Sequence, residues 1–185
     1  MAAFPRTEVG GISVSRMIIG TNWFLGYTHS TRGQSLTNVE RVMHRNVIAD
    51  IIETFVSFGV DSIMCPHTQT VIPEAIEEAR QRTGKQLVVI STFDMPMTPR
   101  TALDGFDLGA VERVLAQEVE RGVQFAMPHQ SVTDVMLDKC SREIRQMAPV
   151  CRLIREHGLV PGLSTHAPET IVYADETGLD VASYI

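Results

Sequence analysis

Several classes of protein are closed off by what this chain lacks. It has three cysteines, Cys65, Cys140 and Cys151, with no C-x-x-C spacing. An odd number without paired spacing argues against a disulfide framework and against a thiolate zinc site, so the thiols are read as reduced. The 16 Lys and Arg are outnumbered by 22 Asp and Glu and lie scattered, giving a net charge of −6. No basic stripe is left to neutralise a phosphate backbone, which speaks against nucleic acid as a partner. No stretch approaches the roughly 18 apolar residues of a membrane-spanning helix. The opening "MAAFPRTEVGG" has neither the apolar segment of a secretion signal nor the Arg-rich amphipathic character of a transit peptide. The expectation is a soluble cytoplasmic protein without a membrane partner.

What is present is a regular alternation. The length of 185 residues and the 44% hydrophobic content allow one domain with a core, read as spanning residues 1–185. "RMIIGTNWF" (16–24), "VDSIMCPH" (60–67), "QLVVISTFDM" (86–95), "VQFAMPH" (123–129) and "LVPGLSTH" (159–166) are short apolar runs of strand length. Continuous apolar runs belong to strands buried on both faces, as in parallel sheets. Between them lie helical patterns. Thr37 and Glu40 read as a capping box that opens one long helix ending at Gly59. Pro73 opens a second ending at Gly84, and Asp107 caps a third ending at Gly122. The stretch from Ser131 to Gly158 is helical in pattern, with Pro149 dividing a short helix from a main one, and Pro168 opens the last.

Five β-α repeats imply a parallel sheet with right-handed crossovers. A doubly wound sheet would announce itself by a glycine-rich turn after the first strand, and "GTNWFLGYTHSTRG" lacks that tight spacing. The reading is therefore a (β/α) TIM-barrel type of fold. A full barrel needs eight units and about 250 residues. Five units make a partial barrel, read as truncated at the C-terminus, with an open sheet edge through which a homo-oligomer could form. "LDVASYI" at the end is undecided between strand and helix.

In such folds chemistry collects just beyond the C-terminal ends of the strands. His67, His129 and His166 stand there after strands two, four and five, Asp94 after strand three and Asn22 after strand one. Three imidazoles and a carboxylate suit a divalent metal such as Zn, Mn or Fe, so His67, His129, His166 and Asp94 are the candidate ligands. Without metal, a histidine beside a carboxylate is a tunable acid–base pair, which makes His129 and Asp94 the candidate catalytic residues. Capping of the strand ends, or simple donation to a substrate anion, explains any one of these histidines equally well. Asn22, Trp23, Arg32 and Gln130 are the candidates for contacting substrate, although core packing accounts for Trp23 as well. Cys65 is more simply a small buried hydrophobe than a nucleophile.

"GGISVSRMIIGTNWF" (10–24) resembles the first strand of aldo-keto reductases, which are (β/α) barrels using a nicotinamide cofactor. That resemblance implies NADP as a cofactor and His129 as the counterpart of the family's histidine. "CPHTQT" lacks the family's Asp and Tyr, and "TFDMP" lacks its Lys. The chain as a whole resembles a bacterial group of TIM-barrel proteins to which no activity is attached. The leading expectation is a metal-dependent hydrolase, isomerase or lyase acting on a small polar or sugar-like substrate. The alternatives are an NADP-dependent oxidoreductase of the aldo-keto reductase kind and a non-catalytic barrel fragment.

Overall fold

A computed structural model describes residues 4–66 and 70–185, arranged as two compact units, Met1–Ile90 and Ser91–Ile185. In the first unit β1 (Arg6–Val9) and β2 (Ile12–Ser15) form an antiparallel hairpin outside the expected alternation. Its turn is Gly10–Gly11, both with positive φ, the chemistry that a tight hairpin turn demands. Arg6 ties the hairpin down by two 2.9 Å hydrogen bonds to the Asp61 carboxylate. The first apolar run contributes only β3 (Ile19–Gly20), paired in parallel with β4 (Ser62–Cys65) through Ile19↔Ile63. It stops there because the chain coils at once, with the Tyr27 N–H donating to the Asn22 carbonyl at 2.8 Å.

The long helix expected from Thr37 to Gly59 is two helices, α1 (Arg32–Arg41) and α2 (Arg45–Ser57). The N-cap is Thr31, whose hydroxyl accepts from Gln34 N, while Thr37 is interior and turns its hydroxyl back onto Gly33 O at 2.9 Å. The Asn38 carbonyl accepts from both Val42 and Met43, which closes α1, and His44 restarts the chain in an extended conformation. Burial follows the break: α2 sinks Ile48, Ala49 and Ile52, whereas α1 buries only Asn38. Helix α3 (Val71–Thr83) has Pro73 in its first turn and ends on left-handed Gly84, as the residues suggested.

The division between the units falls inside β5 (Val88–Phe93). The second unit continues through the single turn α4 (Thr101–Asp104) and α5 (Leu108–Glu120), where Asp107 caps as expected by accepting from Ala110 N at 3.0 Å. Then come β6 (Phe125–Pro128) and α6 (Gln130–Met136). The pattern read as helical beyond this point holds instead a small antiparallel hairpin, β7 (Leu137–Asp138) with β8 (Glu143–Ile144), before α7 (Met147–Glu156). Pro149 is the third residue of α7, where its missing N–H costs no bond. Strand β9 (Val160–Leu163) follows, then α8 (Pro168–Glu176) with Pro168 at its start. The undecided C-terminal segment is a strand, β10 (Ser183–Tyr184), parallel to β9.

Six strands thus form an α/β parallel sheet in the order β10-β9-β6-β5-β4-β3. Within the second unit, Phe93, Leu115, Phe125, Met136, Met147, Ile154 and Leu163 are fully buried and form the core that fixes the strand ends. Among the described residues no helix is long and apolar enough to cross a membrane.

Candidate functional site

The second unit brings two of the expected residues together. Strand β5 ends at Phe93 and places Asp94 next; β6 ends at Pro128 and places His129 next. The His129 N–H donates to the Phe93 carbonyl at 2.9 Å, which locks these two strand ends in register. His129 leaves the strand in an extended conformation, φ −62 and ψ 150, and becomes the N-cap of α6. Its Nδ1 lies 2.8 Å from the Ser131 hydroxyl and accepts from the Ser131 N–H at 3.3 Å. The Ser131 hydroxyl is also 3.4 Å from the Asp94 carboxylate, and the imidazole Nδ1 is 3.6 Å from the same oxygen. One serine therefore stands between the histidine and the carboxylate. The imidazole is about one-third exposed at 35% and Asp94 is open at 69%, so the pair is within reach of a small molecule. Gln130, the first residue of α6, is partly exposed beside it.

Ser131 was not among the sequence candidates. The signal for it is local: a serine two residues after a strand-end histidine, at the head of a helical pattern, is placed to donate to whatever caps that helix.

His166 is held differently. Its backbone N–H donates to the Asp134 carboxylate of α6 at 3.1 Å, and the Thr165 hydroxyl donates to the same carboxylate. The His166 residue itself is exposed. His67 lies outside the described residues. Among the described residues no three His, Cys, Asp or Glu side chains gather to hold a metal ion, so the four-ligand set expected from the strand ends is not assembled by His129, His166 and Asp94 alone.

In the first unit, Asn22 is exposed and its amide lies 3.3 Å from His29 Nε2. Trp23 is 54% exposed, not core, although its carbonyl is fixed by a hydrogen bond from the buried Asn38 side chain at 3.0 Å. Arg32 opens α1. Cys65 and Cys151 are buried and Cys140 is exposed; burial pushes the Cys151 thiol up to about 12, which leaves it inert. A cavity of about 670 Å³ in the second unit runs along α7 past Arg145, Arg152 and Arg155, and none of the described candidate residues lines it.

In sequence the chain matches no family profile and no curated protein. Solved structures are more informative. An aldo-keto reductase from Brucella melitensis superposes with a TM-score of 0.57 at 11% identity, over 98% of this chain and 62% of that one. A protein named as an aldo-keto reductase candidate from Pseudomonas aeruginosa gives 0.55 at 13% identity, over 96% of this chain and 76% of that one. The carboxyl transferase domain of Rhizobium etli pyruvate carboxylase gives 0.54 at 15% identity, over 91% of this chain and 26% of that one.

The fold is of the TIM-barrel type. At such identities the likeness is one of fold, and it extends beyond the first strand, where the sequence resemblance to aldo-keto reductases ended. This chain spans under a third of the carboxyl transferase chains and about three-fifths of the Brucella reductase. Asp94, His129 and Ser131 follow the C-terminal ends of β5 and β6.

Proposed function

We propose that this chain carries an acid–base centre of a TIM-barrel enzyme that acts on a small polar, sugar-like or phosphorylated substrate. His129 is the group that touches substrate, through Nε2, and Asp94 supplies the charge behind it. The observation that carries this reading is the convergence of Asp94, Ser131 and His129 from two successive strand ends, with no hydrogen-bond partner for the opposite ring nitrogen among the described residues. Gln130, which begins the helix that His129 caps, is a candidate contact for the substrate. A divalent ion such as Zn, Mn or Fe would need donors beyond these two; among the described residues no third gathers with them.

The test is turnover of a panel of small phosphorylated and unphosphorylated sugars and hydroxy acids by the wild type and by His129→Gln. Loss of a positioned acid–base group lowers the rate by roughly 10²–10⁴-fold. Equal turnover by the two proteins would overturn the assignment.

A second reading is reduction of a carbonyl by NADP in the manner of the aldo-keto reductases. What supports it is the fold likeness over nearly the whole of this chain, together with a histidine after the fourth of the expected β-α strands. Saturable quenching or enhancement of NADPH fluorescence on titration with the protein is the expected result under this reading. A flat titration removes it. Association of copies through the open β10 edge is a separate proposal, tested by the size of the protein in solution.

A further inference from the structure

The hydrogen bonds around His129 say which of its nitrogens carries the proton. The Ser131 N–H is a backbone donor of the first turn of α6; it cannot rotate, and the acceptor it meets is Nδ1, at 3.3 Å. If Nδ1 also carried hydrogen, two N–H groups would face one another at that distance. The Ser131 hydroxyl, 2.8 Å from Nδ1, has a single proton and also donates to Asp94 at 3.4 Å, so it fits either tautomer and the fixed backbone N–H alone carries the assignment.

We infer that neutral His129 is held as the Nε2–H tautomer, with Ser131 as the positioning residue that holds it, and that the site presents a hydrogen-bond donor rather than a base to its substrate. This rests on the proposed role of His129 and narrows it. With its lone pair turned inward, the neutral ring has nothing outward with which to abstract a proton. What it offers outward is an N–H, suited to an oxygen that gains negative charge during reaction, such as a carbonyl, carboxyl or phosphoryl oxygen. Asp94 lies on the Nδ1 side, 3.6 Å away, so its carboxylate acts on the edge of the ring opposite Nε2. The Nε2–H donates a hydrogen bond while Ser131 keeps Nδ1 unprotonated.

The experiment is a long-range ¹H–¹⁵N correlation spectrum of the imidazoles in ¹⁵N-labelled protein at about pH 9, where imidazoles are neutral. His129 is assigned by the signals lost in His129→Gln. The expected result is a protonated Nε2 and an Nδ1 resonating as an unprotonated ring nitrogen, in the wild type and in Ser131→Thr, which keeps both donors. In Ser131→Pro, which removes the N–H and the hydroxyl together, the two nitrogens move towards averaged values. A wild-type spectrum with hydrogen on Nδ1 overturns the inference, as does an unchanged pattern in a folded Ser131→Pro. If the proline variant does not fold, the wild-type spectrum decides. The spectrum requires no turnover, so the tautomer can be right while the proposed activity fails, and the reverse.

Discussion

Replacing Gly162 by alanine tests the packing of β9 against β10 and against Met127 of β6, the strand that leads into His129. Gly162 lies on β9 and pairs with Ser183 of β10. An added Cβ would stand 2.7 Å from the Ser183 carbonyl oxygen, 2.7 Å from Met127 Cε and 3.0 Å from Met127 Cγ. Comfortable contacts lie near 3.5–4.0 Å, so each is short by roughly half an ångström or more. The methionine can retract because its thioether is flexible. The carbonyl belongs to the β10 backbone and can yield only if that strand moves. Overpacking of this kind costs about 1–3 kcal/mol, against about 0.4–1 kcal/mol recovered from the stiffer unfolded chain. The net expectation is a loss of about 1–2 kcal/mol, or a fall in Tm of roughly 2–8 °C for a chain of this size. Amide exchange localises the damage: the Ala182 and Ile185 N–H groups, which bond Pro161 and Leu163 carbonyls, should lose protection first. Gly20→Ala, with no atom of the described residues outside its chain neighbours within 4 Å of its Cβ and an ordinary φ, is the control and should leave the midpoint within about 0.5 kcal/mol of wild type. A Gly162→Ala protein as stable as wild type, with β10 still protected, would refute the packing argument.

Three further outcomes follow from named contacts. With a thiol reagent at neutral pH, Cys140 should react rapidly in the folded protein and all three cysteines after denaturation, because Cys65 and Cys151 are buried and burial raises the Cys151 thiol to about 12. Two fast thiols in the native protein would contradict that placement. The Asp138 carboxyl is held far below its ordinary range by the Ser141 hydroxyl, the Cys140 N–H and Arg145, and hydrogen bonding from Arg155 lowers Asp180. A depressed folded-state value stabilises above the unfolded value of about 3.9 and loses that contribution as pH falls below it, so Tm should be level near neutrality and drop below about pH 4. A Tm that rose on acidification through that window would reverse the sign. Finally, Asp134→Ala leaves the Thr165 hydroxyl and the His166 N–H without their acceptor and should cost about 1–3 kcal/mol in urea unfolding, partly restored in Asp134→Asn.

The parts of the fold that could be read from sequence are those set by local chemistry. Asp107 caps α5, Pro168 opens α8 and Gly84 ends α3, because each acts within one turn of its own position. The apolar run 86–95 yields β5 because a strand buried on both faces has no room for polar interruption. Two local conflicts were harder. Between Asn38 and His44 the apolar spacing continues, yet a doubly accepting Asn38 carbonyl ends α1. Between Leu137 and Ile144 the Asp138 carboxylate takes the N–H groups of Cys140 and Ser141, a turn in which side-chain hydrogen bonds win over helical spacing. The site divides in the same way. Asp94 and His129 stand out by position, while the link between Ser131 and Asp94 spans 37 residues and depends on the register of the ends of β5 and β6.

His129 performs two tasks that pull apart under mutation. As N-cap of α6 it accepts from the first turn through Nδ1, a task for which Asn, Asp, Ser and Thr are the preferred residues. A chain selected for capping alone has no need of an imidazole there. His129→Asn should therefore keep the cap, leaving the unfolding midpoint within about 0.5 kcal/mol of wild type or above it, while removing the outward N–H on a ring. Under the proposed function the same variant loses turnover by roughly 100-fold or more. Differential scanning and the turnover panel measure the two effects on one protein. If His129→Asn lost stability and kept turnover, the histidine would be a structural cap, and the centre proposed at the ends of β5 and β6 would have no chemistry to perform.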